Sequence, residues 1–178
     1  MKAEADIAGL SEALLQTGQE VGAYFSALPT AAFFEGDDER WSPAHHLAHL
    51  TLSNTPVASA LGLPKGRLAR VSADQPPRTA QEVGTMYVTA LARGVKATGR
   101  FLPSPHGTPS ELLERYDGSV HLLDHNLIYW MDGELNDFAL PHPVLGSLSV
   151  REMLYFTVLH NQHHLNGVKA RLKAHDLT

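Results

Sequence analysis

Three times the chain sets a hydroxyl residue three positions ahead of a glutamate at the head of an apolar run: Thr79 with Glu82, Thr108 with Glu111, and Ser149 with Glu152. This is the capping-box pattern, in which the hydroxyl accepts from the backbone N–H three residues on and the carboxylate reaches back to the N–H of the cap. A fourth start is spelled differently, as Ser42 followed by Pro43. The serine caps, and the proline's fixed φ and missing N–H suit the first helical position. Signals of this kind fix where helices begin, and so they restrict the fold class more than any other feature of the chain.

The spacing behind these starts predicts five helical segments. The first covers 4–28, where Ile7, Leu10, Leu14, Val21, Phe25 and Leu28 recur at helical spacing and Pro29 stops the run. The second runs from Pro43 to Leu61, ended by Gly62 and Pro64. The third, from the Thr79 cap, passes through Val83, Met86, Tyr87, Leu91 and Val95. The fourth extends from Pro109 to Met131 and the fifth from Val150 to Lys173. No alternating strand, internal repeat or low-complexity tract stands out. The expectation is one all-α domain over 1–178, a helical bundle in which each helix lays its apolar stripe on the others. Residues 62–78 are long for a link between antiparallel neighbours. They read as a crossover that leaves the second and third helices parallel.

Composition narrows the function. A formal charge of −5 leaves no concentrated basic face for nucleic acid; Lys65/Arg67/Arg70 and Lys169/Arg171/Lys173 are small clusters of the solvated kind. No stretch approaches the roughly 18 apolar residues of a membrane span. The N-terminus carries acids early and lacks a signal peptide's layout, which points to the cytoplasm. There is no cysteine, and therefore no disulfide, thiolate ligand or Cys nucleophile. The unusual count is histidine, 11 in 178 residues.

Three histidine pairs stand four residues apart, His45/His49, His121/His125 and His160/His164. On a helix this spacing puts both imidazoles on one face, as two ligands of one metal ion require. In the fourth segment Leu113, Tyr116, Val120, Leu123, Leu127 and Met131 form the apolar face, and His121 and His125 fall away from it toward solvent. In the fifth, Met153, Leu154, Thr157, Asn161, Leu165 and Val168 face inward. His164 lies within that face, His160 at its edge, and His163 points away. The second segment leaves two candidates. Its stripe of Leu47, Leu50, Val57, Ala58 and Leu61 brings His46 closer to the centre than His49, and a four-histidine site of His45, His49, His160 and His164 also satisfies the spacing. The alternative is a set of core histidines bonded to backbone carbonyls.

Several metal enzymes are excluded. Asn161 follows His160 where H-E-x-x-H needs glutamate, and His163 stands where H-x-x-E-H needs it. No Glu-x-x-His occurs, which removes the carboxylate di-iron bundle. A phosphate-binding glycine loop and a dinucleotide fingerprint are both missing.

Two stretches resemble the DinB-like superfamily. "WSPAHHLAHL", 41–50, resembles the pattern in which Trp-Ser opens helix 2 and Leu-x-His-Leu follows. "HPVLGSLSVREMLYFTVLHNQHHLNGV", 142–168, resembles its C-terminal pattern of His-Pro, Gly, a capped helix with Glu, then His-x-x-x-His with an adjacent second His. The resemblance implies a four-helix bundle with a long crossover between helices 2 and 3, here with room for one additional short helix. It implies a divalent metal held by His49, His160 and His164, one ligand from helix 2 and two from the last helix. His45 stands where many members carry glutamate.

Three neutral imidazoles suit zinc or nickel and leave a coordination position open. Characterised relatives include thiol-dependent transferases and isomerases that use bacillithiol or mycothiol. By that analogy the expectation is a metal-dependent thiol S-transferase acting on a small molecule, with the thiol arriving as cosubstrate and with homodimerisation as the family habit. The alternatives are a metal-dependent hydrolase with Glu152 or Asp124 as base, a non-catalytic metal-binding or stress-response bundle, and a metal-free bundle. Trp41 and Trp130 read as core anchors, and His142 as a turn residue.

Overall fold

The computed structural model describes residues 5–37 and 40–175, and each helix start announced by a cap is present in it. Glu82 N donates to Thr79 Oγ1 at 3.2 Å and Thr79 N to Glu82 Oε2 at 2.7 Å. The corresponding pairs are 3.3 and 2.7 Å for Thr108/Glu111, and 3.1 and 2.8 Å for Ser149/Glu152. Ser42 Oγ accepts from His45 N at 3.3 Å. The helices are α1 (Ile7–Ser26), α2 (Thr30–Phe34), α3 (Pro43–Leu61), α4 (Ala80–Ala92), α5 (Pro109–Leu127) and α6 (Val150–His175). Residue 4, the expected start of the first segment, lies outside the described residues. The helix itself begins after Asp6, whose carboxylate accepts from Gly9 N at 2.9 Å.

Helix ends depart further from the sequence reading. Instead of reaching Met131, α5 stops at Leu127, and the chain leaves through i→i+3 bonds such as Trp130 N to Leu127 O. Trp130 then turns inward and donates its Nε1–H to Leu61 O at 3.0 Å, closing the C-terminus of α3. Met131 is 68% exposed and was never part of the apolar face. The third segment ends at Ala92 because Gly94, at φ +78°, takes the chain out of the helix before Val95.

The chain is not all-α. Among the described residues three short strands form an antiparallel sheet, β1 (Ala69–Arg70), β2 (Phe138–His142) and β3 (Gly146–Ser149), in the order β1-β2-β3. The two-residue β1 is too short to display alternation, and in β3 the two exposed residues are followed by two buried ones. In β2, moreover, Phe138, Ala139 and Leu140 are all buried, so there is no alternation to read. Pro141 lies past the end of β1, where its missing N–H takes nothing from that pairing.

Two apolar clusters make the core. One gathers Leu10, Leu14, Leu61, Leu127, Met153 and Leu154; the other gathers Val21, Phe25, Leu47, Leu50, Leu112 and Leu165. On α1 and α6 the first cluster takes the N-terminal half, and on α3 and α5 it takes the C-terminal half. It follows that α3 and α5 run in one direction and α1 and α6 in the other. These four helices touch one another, whereas α4 packs on α6. Val83 joins the first cluster and Tyr87 reaches His160 and His163, so α4 follows the sense of α6 and opposes α3. The parallel neighbour of α3 is therefore α5, and the return path is 62–108 with α4 inside it. The periodic 80–95 segment looked like a bundle helix only because it too has one buried face.

At the changeover between clusters each of the four helices carries a buried polar residue: Thr17, Asn54, Ser119, and Thr157 with Asn161. Asn161 Nδ2 donates to Asn54 Oδ1 at 3.0 Å and to Thr157 O at 2.8 Å, and Tyr116 OH donates to Asn161 Oδ1 at 2.8 Å. The return path is pinned from its middle. Arg78 Nε and Nη2 donate to the two oxygens of Glu152 at 2.8 and 2.7 Å, and Nη2 also reaches Ser147 O at 3.0 Å. Burial pushes the Glu152 carboxyl up, but the bonds from Arg78 and from Ser149 N outweigh it and hold the group below its ordinary value.

Two measurements test this packing. A Cβ at Gly22 meets nothing within 4 Å, while one at Gly18 lies 2.7 Å from Val120 Cγ1, on a side chain stiff at χ1. In urea denaturation Gly22→Ala is expected to stabilise by about 0.5–1 kcal/mol, and Gly18→Ala to destabilise by about 1–3 kcal/mol. Equal effects would mean that α1 and α5 do not approach as described. For Glu152, a depressed folded pKa gives stability that is whole above about pH 4.3 and is lost as pH falls through the folded value. Glu152→Gln should lower the urea midpoint at pH 7 and blunt the fall below pH about 4.3.

Candidate metal centre

Residues 160 and 164 lie one turn apart on α6, and the Pro43-initiated α3 crosses opposite them. That crossing brings His49 to both. His49 Nε2 is 3.2 Å from His160 Nε2, and His160 Nε2 is 3.0 Å from His164 Nε2. One ligand atom from each ring falls within 4.8 Å of the others. The three side chains are 6%, 6% and 8% exposed. The structure thus groups His49, rather than His46, with His160 and His164.

Hydrogen bonds behind the rings set which nitrogen is free. His49 Nδ1 is 2.8 Å from Phe101 O, and since a carbonyl only accepts, the Nδ1–H donates and Nε2 keeps its lone pair. His164 Nδ1 is 2.7 Å from His46 Nδ1. The His160 ring stacks on Phe156, with centroids 5.1 Å apart and planes at 18°, and Tyr87 meets it edge-on at 5.9 Å. Burial, followed by the neighbouring imidazoles, pulls His160 and His164 well below the ordinary histidine pKa. His49 is also lowered by burial, against an opposing pull from the Phe101 carbonyl. Burial thus favours the neutral form of the rings, which metal ligation requires.

A divalent ion fits this donor set. Zinc–nitrogen bonds of about 2.0–2.1 Å in a tetrahedron place nitrogens about 3.3 Å apart, close to the two spacings found. The proton count agrees. His160 Nε2 faces two other ring nitrogens and has at most one proton to offer them, whereas a cation between the three would use every lone pair. Three buried histidines could therefore hold a metal ion.

The remaining sequence candidates fall into place around this group. His45 does not join it; its Nδ1 lies 2.7 Å from Ser42 Oγ, at the cap of α3. His121 and His125 are exposed on α5, and His163 is exposed on α6 beside Tyr87. His142 ends β2 and holds the turn after it, its Nδ1 accepting from Val144 N at 3.2 Å and Leu145 N at 3.0 Å, with burial pushing its pKa down to about 4. Glu152 is occupied by Arg78, and Asp124 accepts from Ser11 Oγ. Trp130 is a core anchor, but Trp41 is a wall of the site. Its ring lies 5.0 Å from His49 and stacks at 15° on His164. Sequence reading also missed Phe101, whose contribution is a backbone carbonyl that any residue could supply.

The depressed histidines imply acid sensitivity. Below about pH 6.5 the unfolded chain binds protons that the folded one refuses, so stability falls as pH falls, by up to about 1.4 kcal/mol per pH unit for each such ring. Metal-free protein should therefore lose urea resistance between pH 7.5 and 5.5, and His164→Leu should flatten the profile. A profile already flat in the wild type would contradict buried neutral imidazoles.

A family model described as the DinB superfamily matches residues 13–167, a span that contains all three histidines. The crystal structure of an uncharacterized protein from Clostridium difficile 630 has a similar fold, with a TM-score of 0.57 at 15% identity, covering 97% of this chain and 98% of that one. No curated protein matches. The family model spans most of the chain, and the chain belongs to the DinB superfamily.

Proposed function

We propose that this protein binds a divalent metal, zinc or nickel, through His49, His160 and His164, and that it works as a metal-dependent thiol S-transferase. In this reading the four mutually packed helices α1, α3, α5 and α6 are the four-helix bundle of the superfamily, 62–108 is its crossover, and the whole chain is one domain. The observation that supports it is the convergence of ring nitrogens from three buried histidines with no carboxylate among them. Three protein ligands leave a coordination position for an incoming group.

A divalent ion held there supplies Lewis acidity, which lowers the pKa of a thiol offered to it into the neutral range. The chain's own residues do the rest. The His49 Nδ1–H bond to Phe101 O fixes that ring, and Trp41, Tyr87 and Phe156 surround the imidazoles with aromatic surface. With no cysteine in the chain, the thiol comes as a low-molecular-weight cosubstrate. Hydrolysis is the weaker reading, because Glu152 and Asp124, the two bases the sequence offers, are held by Arg78 and Ser11. Homodimerisation and a cytoplasmic setting complete the proposal; no described helix is long and apolar enough to cross a membrane.

Elemental analysis of untagged protein purified without chelator is the test, run beside His49→Ala and His164→Ala. The expected result is about one zinc or nickel per chain, lost in both variants. Loaded protein should then consume a low-molecular-weight thiol in the presence of an electrophile. A wild type that cannot be loaded would overturn the metal assignment. A loaded protein that turns over no thiol would leave a non-catalytic metal-binding protein.

A further inference from the structure

We infer that His46 is a positioning residue for the metal centre: its Nδ1 accepts the Nδ1–H of His164 and so holds that ligand in the tautomer that directs Nε2 at His160 and His49. The inference rests on the metal reading and deepens it.

The argument begins with the geometry of one ring. His164 Nε2 is 3.0 Å from His160 Nε2, on the side where the three ligand atoms gather. Its Nδ1, on the other edge, is 2.7 Å from His46 Nδ1. A neutral imidazole carries a single proton. If that proton were on Nε2 it would occupy the ligand position, and the ring could not bind a cation there. Placed on Nδ1, it needs an acceptor at hydrogen-bond distance, and His46 Nδ1 is the atom present. His46 must then carry its own proton on Nε2, which makes it an acceptor toward His164 and keeps it out of the ligand set.

The site already contains a bond of this kind. His49 Nδ1–H donates to Phe101 O at 2.8 Å, with the same consequence for His49 Nε2. One ligand is therefore oriented by a backbone carbonyl and another by a neighbouring imidazole. Packing holds the second pair together: Trp41 lies edge-on to His46 at 5.5 Å and stacks on His164. Acceptors behind metal-bound histidines commonly change metal affinity 10- to 100-fold when removed. Three neighbouring histidines on α3 thus divide the work. His45 meets the cap, His46 orients a ligand, and His49 ligates.

Two substitutions separate the hydrogen bond from the packing. His46→Phe keeps a ring against Trp41 and loses the acceptor. His46→Asn loses the ring and keeps an acceptor, Oδ1, close to where Nδ1 stood. Zinc affinity would be measured by competition with a chromophoric chelator, with circular dichroism to verify folding. The tautomer of His164 would be read from long-range proton–nitrogen NMR spectra of the metal-free protein. The inference expects wild type to show His164 protonated at Nδ1. It expects His46→Phe to lose zinc affinity about 10- to 100-fold with mixed tautomers at His164, and His46→Asn to stay within about threefold of wild type. Wild-type zinc binding that survives His46→Phe but weakens in His46→Asn would assign His46 to packing and overturn the inference alone. A wild type that binds no zinc overturns the metal reading and this inference with it.

Discussion

Burying a polar group without a partner costs a few kcal/mol, and α6 buries six such side chains: Arg151, Glu152, Thr157, His160, Asn161 and His164. Satisfying them organises the rest of the molecule. Arg151, 1% exposed, donates to Asn136 Oδ1 at 3.0 Å and Asp132 O at 2.8 Å, and also reaches Ala5 O. Glu152 takes Arg78 from the return path, and Asn161 takes Asn54 from α3 and Tyr116 from α5. The imidazoles take His46 and His49, again from α3. The return path, the segment before β2, α3 and α5 thus each supply α6 with a specific partner, so a shift of register along α6 would break several bonds at once. Apolar contact alone would tolerate such a slide far better.

This explains what the sequence disclosed and what it withheld. Helix starts were legible because a cap is a local device: Thr79 and Glu82 satisfy each other within four residues and need no tertiary context. The end of α5 was not, because it depends on Trp130 finding Leu61 O across the bundle. The strands showed no period because burial along β2 and β3 does not alternate. The role of α4 was misread because periodicity reports that a face is buried without saying against what. Val83 and Tyr87 would show the same spacing in a bundle helix and in one laid on the outside of α6.

The site followed the same rule. Spacing on α6 alone set His160 and His164 on one face and His163 away from it. On α3 the stripe of Leu47 and Leu50 could not separate His46 from His49, since both rings reach α6, His46 through Nδ1 at His164 and His49 through Nε2 at His160. The superfamily motif made that choice from outside the chain. Trp41 was taken for a core anchor because a tryptophan beside a cap usually is one; here the polar surface it covers is imidazole.

The polar layer and the histidine group are adjacent turns of one structure, and that adjacency has a consequence for the site. Asn161 follows His160 directly, and its side chain is held by Asn54, Tyr116 and the Thr157 carbonyl. Rotating α6 enough to move His160 out of the group would pull Asn161 from those partners and leave buried amide atoms unpaired. Asn54 lies little more than one turn beyond His49 and resists the same motion from α3. The two helices that carry the three histidines are therefore locked to each other just outside the group, so the fold itself brings their ring nitrogens together. A cation that entered such a site would have little ordering cost left to meet, and its affinity would then depend chiefly on the rings' tautomers and on the acceptors behind them.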